Sequence, residues 1–311
     1  MKRKAVIFGI SGTKLTVKEK SFLTDQKPWG IILFSRNINN INQLKLLTSE
    51  IKNIFRDDKY PIIIDQEGGN VSRLNNILDF SLLSQNYFGE LYRKKRKTFF
   101  ETYQTYINTV SYILKNTGIN INTVPVLDIK SKKSKSFIGD RSFSSNPNIV
   151  SRLGNLCIDL YKKNKIGSVI KHIPGHGLTK IDSHKFTPVI KDSRKKLLKN
   201  HFKPFKMCPS FFAMTAHVIY KSYDSKYVCT HSKFVIDDVI RNYMKFKGII
   251  ISDDISMKAL KFGLKINTTK ALDAGCNLIL HCNGKFNEML VLSKLIPTID
   301  QFTQKKNSTI L

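Results

Sequence analysis

Acidic residues are scarce in this chain: 23 Asp and Glu face 52 Lys and Arg, for a formal charge of +29. Such an imbalance raises nucleic acid as a partner. The basic residues are nevertheless scattered, in runs such as RKKRK (93 to 97), KKSK (132 to 135) and SRKKLLK (193 to 199). With no recognised nucleic-acid module and no aromatic stacking motif, the charge reads as a solvated surface that would favour an anionic substrate. Cysteine is sparse too. Five residues, an odd number without a CxxC pair, indicate neither a disulfide framework nor a zinc knuckle, and a reducing compartment such as the cytoplasm is expected. No apolar run approaches the ~18 residues of a membrane span. The opening MKRKAVIFGISG has an apolar core too short for a signal peptide, and no small-residue cleavage pattern follows, so it reads as a first strand. No Gly/Ser- or Pro-rich linker divides the 311 residues, and one domain over 1–311 is expected.

Apolar, β-type runs recur evenly: AVIFGI (5 to 10), GIILFS (30 to 35), PIIID (61 to 65), INTVPVLDI (121 to 129), IGSVI (166 to 170), FFAMTAHVI (211 to 219), GIIIS (248 to 252) and NLILHC (277 to 282). Helical periodicity marks 41 to 55, 99 to 116, 148 to 163 and 232 to 246. Strands without strict alternation, separated by helices, imply a parallel sheet covered on both faces. Eight such units predict a single (β/α)8, TIM-type barrel; a doubly wound open sheet is the alternative, and it would concentrate function at one or two crossover points. Polar residues instead follow strand after strand: Arg36 and Asn37, then Asp65, Gln66 and Glu67, Asp128, Lys171 and His172, His217, Asp253 and Asp254, and Asn283. In a barrel these positions converge at the C-terminal ends of the strands. Asp128 and Asp254, taken singly, read equally as helix N-caps.

The densest chemistry lies in IKHIPGHGLTKIDSH, residues 170 to 184. Its first residues close a short buried strand, expected to end at Lys171, and Pro174, Gly175 and Gly177 oppose further regular structure. Asp182 and His184, two apart in an extended loop, share a side, so the carboxylate can orient the imidazole as a proton shuttle. A histidine-bearing surface loop and a metal site stay open as readings of this stretch alone. In PIIIDQEGGNVSRL, Gly68 and Gly69 permit close approach to a ligand, and Arg73 reaches the same pocket if the loop folds back. In GIIISDDISM two adjacent carboxylates end an apolar strand, and one of them is a candidate nucleophile.

Together these motifs, with IGDRSF (138 to 143), TAHVIY (215 to 220) and LDAGCNLILHCN (272 to 283), resemble glycoside hydrolase family 3, most closely its NagZ-type β-N-acetylglucosaminidases of bacterial cell-wall recycling. The likeness covers most of the chain in the family's order. It implies a barrel and a retaining exo-β-N-acetylglucosaminidase. Asp253 is then the nucleophile, His184 the general acid/base and Asp182 its polarising partner. Asp65, Arg73, Arg141, Lys171 and His172 are implied to hold the N-acetylglucosamine unit, with His176 shaping the loop. No metal and no cofactor is implied; the expected partner is a carbohydrate, N-acetylglucosaminyl anhydro-muropeptide, with water or phosphate as acceptor. Asn70 departs from the arginine common after the two glycines and is expected to alter the pocket rim. Residues 75 to 98 match no motif.

Overall fold

A computed structural model describes residues 2–131, 138–179 and 186–307. In chain order the strands are β1 (Lys4–Gly9), β2 (Pro28–Leu33), β3 (Ile62–Ile64), β4 (Ile121–Asn122), β5 (Gly167–Ile173), β6 (Val189–Ile190), β7 (Phe212–Thr215), β8 (Ile219–Tyr220), β9 (Ile249–Asp254) and β10 (Leu278–His281). Eight of them close a parallel barrel in the order β1-β10-β9-β7-β5-β4-β3-β2. The (β/α)8 expectation therefore holds. β6 and β8 pair separately as a short parallel ladder.

The helices are α1 (Val17–Gln26), α2 (Ile41–Phe55), α3 (Gln85–Lys94), α4 (Arg96–Asn116), α5 (Pro147–Lys163), α6 (Arg194–Lys199), α7 (Leu264–Ala274), α8 (Phe286–Leu295) and α9 (Gln301–Asn307). Local chemistry sets their ends. Thr16 and Glu19 form a reciprocal capping box at α1, and Asn146 caps α5 with Pro147 as its first residue. Gly275, at φ 110°, ends α7 where an L side chain would be strained. Residues 232 to 246, read as an α-helix, contain instead a π-helical segment, Val235–Tyr243.

The core of the barrel is built mainly from apolar side chains. Trp29, the one tryptophan, is fully buried and meets Phe212 edge to face at 5.7 Å. Two expected boundaries move. The run 211 to 219 leaves the barrel after Thr215, and its end, Ile219–Tyr220, joins the small ladder. The strand expected to end at Lys171 continues to Ile173, so Lys171 and His172 lie inside β5, both buried.

Candidate active site

A charged residue can stay within a buried strand only when its charge is answered nearby. For Lys171 the answer comes from two carboxylates beyond β3. Its ammonium contacts Asp65 Oδ1 and lies 2.6 Å from Glu67 Oε1. Asp65 Oδ1 also accepts from the Thr123 hydroxyl at 2.6 Å, and Oδ2 from Arg73 Nη2 at 2.8 Å. Burial alone would raise the Asp65 pKa; Lys171 and Arg73 outweigh it and hold the carboxyl well below its usual range.

Arg73 returns to the pocket because the chain reverses after Glu67. Gly68 and Gly69 both have positive φ, 87° and 61°. A Cβ on Gly68 would stand 2.3 Å from the Leu83 carbonyl oxygen. Buried Gln66 secures the return, its Oε1 accepting the N–H groups of Arg73 at 2.7 Å and Leu74 at 3.1 Å. Arg141 reaches the same cluster from a short 3-10 turn, Gly139–Arg141, and forks onto Glu67 with both bonds at 2.8 Å. Burial would raise the Glu67 pKa, but Arg141 and Lys171 prevail and lower it. The segment 75 to 98, without motif in the sequence, braces this arginine: Gln85 Nε2 donates to the Arg141 carbonyl at 2.5 Å and to that of Val126 at 2.9 Å. At the rim, Asn70 donates to Asp140 at 3.0 Å.

Asp128 is no N-cap. It is fully buried, and its carboxylate accepts the backbone N–H groups of His172 (3.1 Å) and His176 (2.5 Å). His172 Nδ1 lies 2.6 Å from the same carboxylate. A group already accepting two backbone donors is ionised, so the imidazole proton sits on Nδ1. Burial, opposed and overcome by His172, leaves the Asp128 pKa lowered. His176 is pushed down to about 4, first by burial and then by His172; it stays neutral at pH 7.

Asp253 and Asp254 are the last residues of β9 rather than the first beyond it. Asp254 lines the cavity too, but its carboxylate is engaged in a local turn, its Oδ1 accepting from the N–H (3.1 Å) and hydroxyl (2.9 Å) of Ser256 and, at 3.3 Å, from the N–H of Cys282. Asp253 faces a cavity of about 160 Å³ that Asp65, Arg73, Arg141, Lys171 and His172 also line, with Phe34, Met214 and Met257 as apolar walls. The structure thus brings together six of the eight site residues named from the sequence. Asp182 and His184 lie outside the described residues. Glu67 and Asp128 were placed in the ring of polar residues at the strand ends but given no role at the site, because those roles depend on partners far along the chain; Thr123 was not singled out.

A larger hollow, about 690 Å³, lies where the barrel strands begin, edged by Lys52, Lys59, Lys115, Lys162 and Lys165. Barrel chemistry belongs to the other mouth. Among the described residues no group of three or more His, Cys, Asp or Glu side chains is arranged to hold a metal ion, and no helix is long and apolar enough to cross a membrane.

Residues 4–307 match the glycosyl hydrolase family 3 N-terminal domain. A β-hexosaminidase of Hydrogenovibrio crunogenus is 35% identical over 296 residues, spanning 93% of this chain and 82% of that protein. Native NagZ from Neisseria gonorrhoeae superposes with a TM-score of 0.89 at 31% identity, over 100% of this chain and 90% of that one. NagZ from the same organism in complex with N-trifluoroacetyl-D-glucosamine gives 0.85 at 30% identity, with the same coverage.

Proposed function

This chain belongs to glycosyl hydrolase family 3 as a glycoside hydrolase of the β-N-acetylhexosaminidase type, and we propose that it is a retaining exo-β-N-acetylglucosaminidase acting on N-acetylglucosaminyl anhydro-muropeptides. The observation that carries this reading is the convergence of Asp253 with Asp65, Arg73, Arg141, Lys171 and His172 on one cavity. The cavity is small, as suits one terminal sugar, and the N-trifluoroacetyl-D-glucosamine of the Neisseria complex is a molecule of that class.

In this reading the charged cluster holds the sugar and Asp253 does the chemistry. Lys171, Arg73 and Arg141 are fixed by Asp65 and Glu67 and present donors; Asp65 keeps acceptor capacity for hydroxyls. His172, its ring fixed at Nδ1 by Asp128, is oriented to hydrogen-bond the sugar through Nε2. Such a pre-set array spends little on reorganisation when the sugar distorts toward an oxocarbenium-like transition state. Asp253 attacks the anomeric carbon and forms a glycosyl ester. His184, polarised by Asp182, first protonates the leaving oxygen and then, neutral, takes a proton from the attacking water. The whole chain forms one catalytic domain in this reading. Its five free cysteines suit the reducing cytoplasm.

The test is release of the chromophore from a chromogenic β-N-acetylglucosaminide by the wild type and by Asp253→Ala and His184→Ala. Turnover lost in the first variant and less impaired in the second, when the leaving group is good, supports the roles. No turnover by a folded wild type would withdraw them.

A further inference from the structure

The TAHVIY motif, residues 215 to 220, places two buried polar side chains, Thr215 and His217, next to Asp253, and Thr230, further along the chain, joins them. His217, Thr215 and Thr230 are each fully buried, and a buried polar group without a partner is costly. Each has partners here, and those partners lead to the same two residues. His217 Nε2 lies 3.0 Å from the backbone oxygen of Asp254. A carbonyl only accepts, so Nε2 carries the proton. His217 Nδ1, 2.7 Å from Thr230 Oγ1, then accepts from the Thr230 hydroxyl. Thr230 Oγ1 lies 2.8 Å from Thr215 Oγ1, and Thr215 Oγ1 receives the N–H of Asp253 at 3.4 Å.

The directions are mutually consistent: Asp253 N–H to Thr215, Thr215 O–H to Thr230, Thr230 O–H to His217, and His217 N–H to the Asp254 carbonyl. The chain runs one way only while the imidazole is neutral. Burial favours that form and lowers the His217 pKa against the pull of Asp253 and Asp254. A reason for such bracing lies in the strand itself. The β9–β10 register slips between the Ile251 and Asp254 pairings, so Asp253 stands at a ladder irregularity, of the kind that re-aims a side chain beside an active site.

We infer that His217 is a positioning residue that sets Asp253 for attack by gripping the 253–254 backbone at both ends, directly at the Asp254 carbonyl and through Thr230 and Thr215 at the Asp253 N–H. The inference rests on the reading of Asp253 as nucleophile. An error of about 1 Å in a reacting group costs about 100-fold in rate, and the relay guards against it together with the Asp254 N–H, which donates to Asp253 Oδ1 at 2.7 Å.

The test uses the full chain and a chromogenic β-N-acetylglucosaminide. Thr230→Val deletes the hydroxyl at nearly constant size, and Thr230→Ser restores it. His217→Leu deletes both ring nitrogens, and His217→Gln keeps one donor and one acceptor. Expected are losses of about 10- to 100-fold in kcat for Thr230→Val and His217→Leu, with KM held within about twofold. Thr230→Ser and His217→Gln should recover most of the loss. A slower burst of aglycone release in Thr230→Val would locate the defect in attack by Asp253. A purely structural relay would lower thermal stability and leave kcat per folded molecule intact. The inference is overturned if Thr230→Val, folded by circular dichroism, turns over within about twofold of wild type while Asp253→Ala is inactive; should His217→Leu fail to fold, the two Thr230 variants carry the test. An active Asp253→Ala would remove the nucleophile reading, and the inference with it.

Discussion

Glu67 is the carboxylate on which the Arg141 and Lys171 cations of the cavity depend, and replacing it with glutamine isolates its charge. Its side chain is 1% exposed, and it answers both the Arg141 guanidinium and the Lys171 ammonium, the latter itself 2% exposed. Glu67→Gln keeps the volume but takes from Arg141 the carboxylate it forks onto and from Lys171 one of its two carboxylates, and it turns one end of the group into a donor facing donors. Removing one partner of a buried ion pair costs about 3 to 5 kcal/mol; the 15% exposure of Arg141 places this site near about 3. With a urea slope of roughly 3 kcal/mol per molar, the unfolding midpoint should fall by about 1 M. Trp29, the only tryptophan and fully buried, reports the transition by fluorescence. The double variant with Arg141→Gln should recover part of the loss, because the guanidinium that has lost its forked carboxylate is gone. A midpoint displaced by less than about 0.2 M would refute the claim that Glu67 carries the cluster.

Asp128→Asn removes the charge that holds His172 and the His176 backbone; kcat/KM toward a chromogenic N-acetylglucosaminide should fall about 100-fold, and a loss under about threefold would contradict the role. His176, His201 and His231 are each lowered to about 4, first by burial. The unfolded chain therefore binds protons that the folded chain refuses, and stability present above about pH 6.5 should be lost as pH falls toward 4. Thermal melts at pH 7, 5.5 and 4 measure this, and a Tm unchanged between pH 7 and 5 would count against it. Asp65, Glu67 and Asp128, all lowered, add a second loss that begins only below about pH 4.5. Gly89→Ala sets about 1 kcal/mol of gained helix propensity against a Cβ 1.7 Å from the Phe143 carbonyl oxygen. The clash should win by about 2 to 3 kcal/mol, measured as a lower urea midpoint, and a neutral or higher midpoint would show that α3 moves away freely.

The barrel was legible because its signal is local: eight apolar runs, evenly spaced, need no knowledge of partners. What escaped depended on distance along the chain. Lys171 reads as the end of a strand until Asp65 and Glu67, more than a hundred residues earlier, are seen to neutralise it within β5. Asp128 reads as an N-cap until the His172 and His176 N–H groups are seen to converge on it. The run 211 to 219 is apolar throughout, and apolarity does not record that the chain leaves one sheet at Thr215 and joins another at Ile219. α1 was not read, since it buries only Glu19, Phe22 and Leu23, too narrow a stripe to stand out. Asp65, Arg73, Lys171, His172 and Asp253 lie in short stretches whose composition is unusual by itself, Arg141 was implied by the family resemblance alone, and all six share one cavity.

The polar contacts above the barrel join neighbouring segments to one another. Asp65 reaches Thr123 on the β4 side and Lys171 on β5; Asp128 holds His172; His217 joins the β7 side to Asp254 on β9. Asp254 meets Cys282 beyond β10, whose carbonyl accepts from Arg36 beyond β2. The residues that line the cavity and their supports therefore also act as a partial hoop around the barrel mouth. Lysines on the outer surface can be gained or lost singly, with effects of a few tenths of a kcal/mol. A member of the hoop cannot change without unsettling the strand next door. Descendants of this sequence should vary freely outside and change at the mouth in coupled pairs, so that selection for folding alone would preserve much of the catalytic apparatus.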